Sequence, residues 1–157
     1  MDLIGKATIN PILFYSGKIS GYITWIILFL LIFKIYLIDS NSFVYNEYIS
    51  YVILLTGLIL IVFSMINLGR STRLGLPSEN TVFKTNGLYK MSRNPMYLGF
   101  NLMTISSMIY SLNIWIIILG IYSIIVYHQI ILGEEKFLED RFGIEYSNYK
   151  KKTRRYL

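Results

Sequence analysis

The chain has no cysteine, one histidine and only three prolines. Without cysteine there is no disulfide framework, no thiolate nucleophile and no zinc–thiolate site, and no metal is expected. Charge is scarce as well: 15% of the 157 residues are charged against 54% hydrophobic, and several long blocks carry no charge at all. That much apolar surface cannot be hidden in one water-soluble core, so an integral membrane protein is expected. The net charge of +6 would point to nucleic acid in a soluble domain. Here the basic residues flank apolar blocks, where they act as topology signals, and no nucleic-acid partner is expected. There is no internal repeat and no low-complexity linker, so residues 1–157 are read as a single membrane domain.

The apolar blocks set the organisation. Met1 to Gly17 contains the short run Ile9 to Tyr15, broken by Pro11, and lacks the features of a signal peptide; it is expected at the interface or as a partial helix. Ile19 to Ile38 is long enough to cross a hydrocarbon core, with Lys34 near its end positioned to snorkel outward. Asp39 to Glu47 is a polar loop, and Tyr48 to Leu68 is a second, uncharged span in which Gly57 allows close helix packing. Arg70 to Arg93 is the longest polar connection, marked as loop by Pro77, Ser78, Asn80, Asn86 and Gly87. Asn94-Pro95 opens the next helix, proline being harmless at the first helical position and asparagine a good cap. Ser111-Leu112-Asn113 divides Pro95 to Leu132 into a helical hairpin with a short first arm. Gly133 to Leu157 is expected to continue the last span and then lie against the membrane surface, its Lys150, Lys151, Lys152, Arg154 and Arg155 facing anionic lipid.

The expected fold is therefore an all-α integral membrane protein of about four transmembrane helices, with a C-terminal interfacial helix. With both termini cytoplasmic, every basic residue except Lys34 falls on the inner side. The loop before Pro95 and the carboxylate pair Glu134-Glu135 then meet at that cytoplasmic face.

Gly87-Leu88-Tyr89 is followed by Arg93-Asn94-Pro95-Met96-Tyr97-Leu98-Gly99, an apolar hairpin, Glu134-Glu135 and Phe142-Gly143 with Tyr146 and Tyr149. This order resembles the isoprenylcysteine carboxyl methyltransferase family and its phospholipid N-methyltransferase relatives, from roughly Leu68 to Leu157. The resemblance implies an S-adenosylmethionine-dependent membrane methyltransferase, its cofactor near the cytoplasmic face and its acceptor a lipid or prenylated molecule or peptide drawn from the bilayer. It implies a cofactor site lined by Gly87, Leu88, Tyr89, Asn94, Pro95, Tyr97, Leu98, Gly99, Glu134 and Glu135, with Arg93 and Glu135 catalytic. Asn94 departs from the family's usual histidine: it can donate and accept hydrogen bonds but cannot act as a titrating base.

S-adenosylmethionine presents a carboxylate, an ammonium, a sulfonium and an adenosine. Amides at the start of the Pro95 helix, with Arg93 nearby, suit the carboxylate. One of Glu134 and Glu135 suits the ammonium; adjacent helical residues point about 100° apart, so one faces the site directly. His128 lies on the same helix face as Glu135 but reads more simply as hydrogen-bonded within the bundle. The expected reaction is O-methylation of an isoprenylcysteine-type carboxylate. Its alternatives are N-methylation of a phospholipid amine, an NADPH-dependent membrane reductase, since sterol-reductase-type enzymes resemble this family in their C-terminal half, and a non-enzymatic scaffold or channel subunit.

Overall fold

The computed structural model describes residues 7–35, 44–69 and 83–157. Among these residues there is no strand, and the helices run in the order α1 (Pro11–Ile32), α2 (Val44–Leu68), a short 3-10 turn (Gly87–Lys90), α3 (Pro95–Ser111), α4 (Ile114–Phe142) and α5 (Ile144–Lys152). Helices α1, α2 and α4 are long and apolar enough to cross a membrane. Helix α3, with 17 residues and hence roughly 25 Å of length, is the short arm of the expected hairpin. The hairpin divides where expected: Leu112 adopts a left-handed conformation with φ 43°, and the Asn113 side chain caps α4 by accepting from the Trp115 amide at 3.0 Å.

The first span starts and ends earlier than the apolar run Ile19 to Ile38 predicts. Pro11 opens α1 instead of breaking it, because proline occupies the first turn and Asn10 Oδ1 accepts from the Ile12 amide at 2.9 Å. The same Asn-Pro signal opens α3. Helix α1 closes at Ile32, and Lys34, with φ 60°, lies just past its end. Helix α2 begins at Val44, ahead of the expected Tyr48. The expected polar loop after Asp39 falls largely outside the described residues, as does the 70–82 part of the central connection.

Helix α3 sits between α2 on one side and α1 with α4 on the other. Small residues set these approaches. A side chain at Gly57 would meet Gly99 O at 2.9 Å, and one at Gly99 would meet Gly57 O at 2.7 Å, so α2 and α3 cross backbone against backbone, the close packing expected of Gly57. Helix α1 crosses α4 similarly, with Gly17 on Val126 and Gly21 on Ser123. Hydrogen bonds fix the register: Ser50 and Ser106 exchange bonds between α2 and α3 at 2.7 and 2.9 Å. Ser20 Oγ donates to Leu119 O at 2.8 Å, and Ser107 Oγ to Thr24 O at 2.7 Å. With no water in the hydrocarbon, a hydroxyl left without such a partner is costly.

Helix α4 continues past Leu132 to Phe142, as expected, and breaks at Gly143, whose φ of 49° only glycine adopts readily. The last residues do not simply lie along the surface. They turn back and run beside residues 92–94, where the Arg93 amide donates to Arg154 O at 2.8 Å and Ser92 Oγ to Arg155 O at 3.2 Å. Unpaired backbone groups at the start of α3 and in the tail thereby satisfy one another.

Candidate active site

The end of α4 carries the carboxylate pair, and the two glutamates have different surroundings. Glu135 is buried and fully engaged. Arg93 grips it from the loop before α3, Nε to Oε1 at 3.1 Å and Nη2 to Oε2 at 3.2 Å. Arg155 binds Oε2 from the tail at 3.0 and 3.2 Å, and Asn94 Nδ2 donates to Oε1 at 3.1 Å. Arg93 is occupied in turn, its Nη1 donating to Thr153 O at 2.5 Å. Glu135, Arg93 and Arg155 form a clamp that ties the start of α3, the end of α4 and the tail together.

Glu134 faces elsewhere. Its Oε1 accepts from Tyr97 Oη at 2.5 Å, and among the described residues it forms no ion pair. Tyr97 is buried beside Phe14, Val126, Tyr127, Ile130 and Ile131, so this carboxylate borders the apolar interior of the bundle. Lys18 of α1 and Tyr89 of the 3-10 turn lie within electrostatic reach of it. Glu134 is thus the carboxylate with capacity to spare, and the roughly 100° between neighbouring helical positions separates it from the clamp.

Asn94 occupies the cap position of α3 but makes no side-chain cap bond; its amide group is turned to Glu135. The expected asparagine cap is therefore replaced by a clamp contact, and the first amides of α3 have no side-chain cap. Pro95 is buried in the first turn and Leu98 is half-buried. Gly87, with φ 61°, approaches the Asn67 side chain, while Gly99 abuts Gly57 and Ile61. Both glycines meet α2, on a different side of α3 from the glutamates. Leu88 is half-buried, and Tyr89 is buried with its carbonyl accepting from Tyr149 Oη at 2.5 Å.

The end of the site formed by the 3-10 turn and α5 is rich in neutral phenols. Burial, with Tyr149 and Glu134 nearby, holds the Tyr89 hydroxyl well above the ordinary tyrosine range. Burial likewise pushes Tyr149 up to about 12 against the opposing Arg93 charge. These groups therefore remain protonated donors at physiological pH. Phe83 packs on Phe142, Tyr146 and Tyr149 with ring centroids 5.1 to 5.6 Å apart, joining the central connection to α5.

Three participants were not evident as such in the sequence. Arg155 read as one of five basic tail residues, yet it alone among them reaches Glu135. Tyr156 bonds His128 Nδ1 at 2.6 Å, so the lone histidine is hydrogen-bonded, but to the returning tail and not to another helix of the bundle as expected. Lys18 read as a charge before the first span, but α1 starts earlier and places it inside. Its signal was the Asn10-Pro11 helix start.

No curated protein matches the chain. The phospholipid methyltransferase family model matches residues 45–145, from α2 through the carboxylate pair into α5. With that match covering most of an all-helical membrane fold, the chain belongs to the phospholipid methyltransferase family.

Proposed function

We propose that the protein uses S-adenosylmethionine to methylate a lipid acceptor within the bilayer, with the site at the cytoplasmic face. The observation that carries this reading is the division between the two glutamates: Glu135 is saturated by two guanidiniums, while Glu134 faces the bundle interior with no ion pair among the described residues. The donor set fits the cofactor. Glu134 would hold the ammonium, the uncapped amides opening α3 would take the carboxylate, and Tyr89 and Tyr97 provide aromatic surface for the adenosine. When bound, S-adenosylmethionine supplies an activated methyl group. The protein's own part is to align donor and acceptor and to exclude water, and the clamp serves this by holding the tail over the start of α3.

The acceptor we assign is a phospholipid amine, in keeping with the family. The second reading, an isoprenylcysteine-type carboxylate, rests on the Arg93 to Gly99 and Glu134-Glu135 order that resembles the carboxyl methyltransferases. An amine must lose a proton before it attacks; a carboxylate need not. Incubating the purified protein in nanodiscs with methyl-labelled S-adenosylmethionine separates the two. Label in phosphatidylethanolamine is the expected result. Label only in an added farnesylcysteine would move the assignment to the carboxylate, and label in neither would remove the methyltransferase reading.

A further inference from the structure

Lys18 is a buried cation inside α1, 8% exposed. Its Nζ lies 4.0 Å from the centroid of the Phe14 ring, and among the described residues its side chain has no ion pair and no hydrogen bond. A charge so placed is costly, and an intramembrane ionisable residue is by default a candidate functional group. Lysines near a helix end usually snorkel to water; this one is held over an aromatic ring within the bundle.

Its backbone is anchored deeper in the bundle than the groups assigned to the cofactor. Helix α1 crosses α4 with Gly17 on Val126 and Gly21 on Ser123, so the Lys18 backbone lies about two turns of α4 deeper than Glu134. The side chain reaches back along α1 to Phe14, which packs in the same cluster as Tyr97. The ammonium therefore reaches toward Glu134 from a backbone anchored deeper in the bundle, and interacts with it electrostatically without forming an ion pair among the described residues. A soluble cofactor would reach Glu134 from the aqueous end of the bundle, away from the Lys18 backbone. Helix α1 also lies outside the residues matched by the family model, in the part of the chain free to set which lipid is chosen.

We infer that Lys18 is an acceptor-binding residue that holds the phosphodiester of the phospholipid, placing the amine next to the methyl donor. This rests on the proposed methyl transfer to a lipid. A lysine ammonium on a flexible four-carbon stem can leave Phe14 for a phosphate oxygen, and the charge-assisted bond gained is strong in a dry site.

The test is the Lys18→Met variant beside Lys18→Arg, both in full-length protein in mixed micelles. Replacing a buried cation that has no ion pair among the described residues by an apolar side chain of similar length should leave thermal stability equal or higher. The KM for phosphatidylethanolamine should rise about tenfold or more in the methionine variant, with kcat changed less and S-adenosylhomocysteine affinity within about twofold. The arginine variant should recover most of the loss. Phosphatidic acid, which has the phosphate but no amine, should inhibit the wild type competitively and Lys18→Met much less. An unchanged KM and unchanged inhibition would overturn the inference while leaving the methyltransferase reading intact. Loss of S-adenosylhomocysteine affinity would also overturn it, by assigning Lys18 to the cofactor. A wild type that neither binds S-adenosylhomocysteine nor methylates any lipid would overturn the underlying reading and this inference with it.

Discussion

Replacing Glu135 by alanine tests the clamp. Arg93 has a side chain only 7% exposed, and the substitution leaves its charge without a carboxylate. Removing one partner of a buried ion pair costs about 3–5 kcal/mol. Arg155 is 32% exposed, so its own pair with Glu135 adds only about 1 kcal/mol or less. The pairs tie the tail to the start of α3 and do not hold the spanning helices together, so the loss should appear first as local opening of residues 153–156. An opening energy lower by about 3 kcal/mol makes the open tail roughly a hundredfold more populated. Limited trypsin digestion in detergent reads this directly, because Lys152, Arg154 and Arg155 lie in or beside the segment. Glu135→Ala should release the tail about a hundredfold faster, Glu135→Gln should fall in between, and Arg155→Ala should have a smaller effect. Equal digestion rates for wild type and Glu135→Ala would refute the clamp.

Three further outcomes follow from the geometry. Gly99→Ala puts a methyl group 2.7 Å from Gly57 O and 2.6 Å from Ile61 Cγ1; overpacking of this kind costs about 1–3 kcal/mol. Thermal unfolding in detergent should show that loss, and the folded fraction should keep its S-adenosylhomocysteine affinity if Gly99 serves helix packing and not the cofactor. Tyr97→Phe removes the 2.5 Å bond to Glu134 at a cost of about 1 kcal/mol, and should weaken cofactor binding more than it lowers the melting temperature; the reverse order would make the bond structural. Gly17→Leu, opposite Val126, should separate α1 from α4 and lower the melting temperature by more than the same change at Gly143, which has nothing within 4 Å of an added methyl group and is strained only by its positive φ.

Local signals made much of the fold legible. Asn94-Pro95 marks the start of α3, Ser111-Leu112-Asn113 marks the hairpin, and an uncharged run marks α2. These depend only on residues adjacent in the chain and are therefore legible in the linear sequence. The start of α1 was legible too, but Pro11 within an apolar run reads as a break unless Asn10 is read as its cap. The split between the glutamates was half legible: helical geometry requires one of them to face away, but only the tertiary structure shows that Arg93 and Arg155 both close on Glu135 and leave Glu134. The return of the tail was hidden because it depends on backbone pairing between Ser92 and Arg154, far apart in the chain and without a side-chain pattern. Lys18 was hidden because its reading depends on where α1 starts: a charge placed before a span looks like a topology signal until the span starts before it.

Calorimetric titration of the folded protein in nanodiscs with S-adenosylhomocysteine, beside NADPH and beside the Glu134→Gln variant, tests the central claim most directly. Saturable binding of S-adenosylhomocysteine alone is expected. In Glu134→Gln, which keeps an acceptor for Tyr97 but loses the charge, binding should weaken about tenfold or more. Binding of NADPH alone, or undiminished binding by Glu134→Gln, would contradict the account.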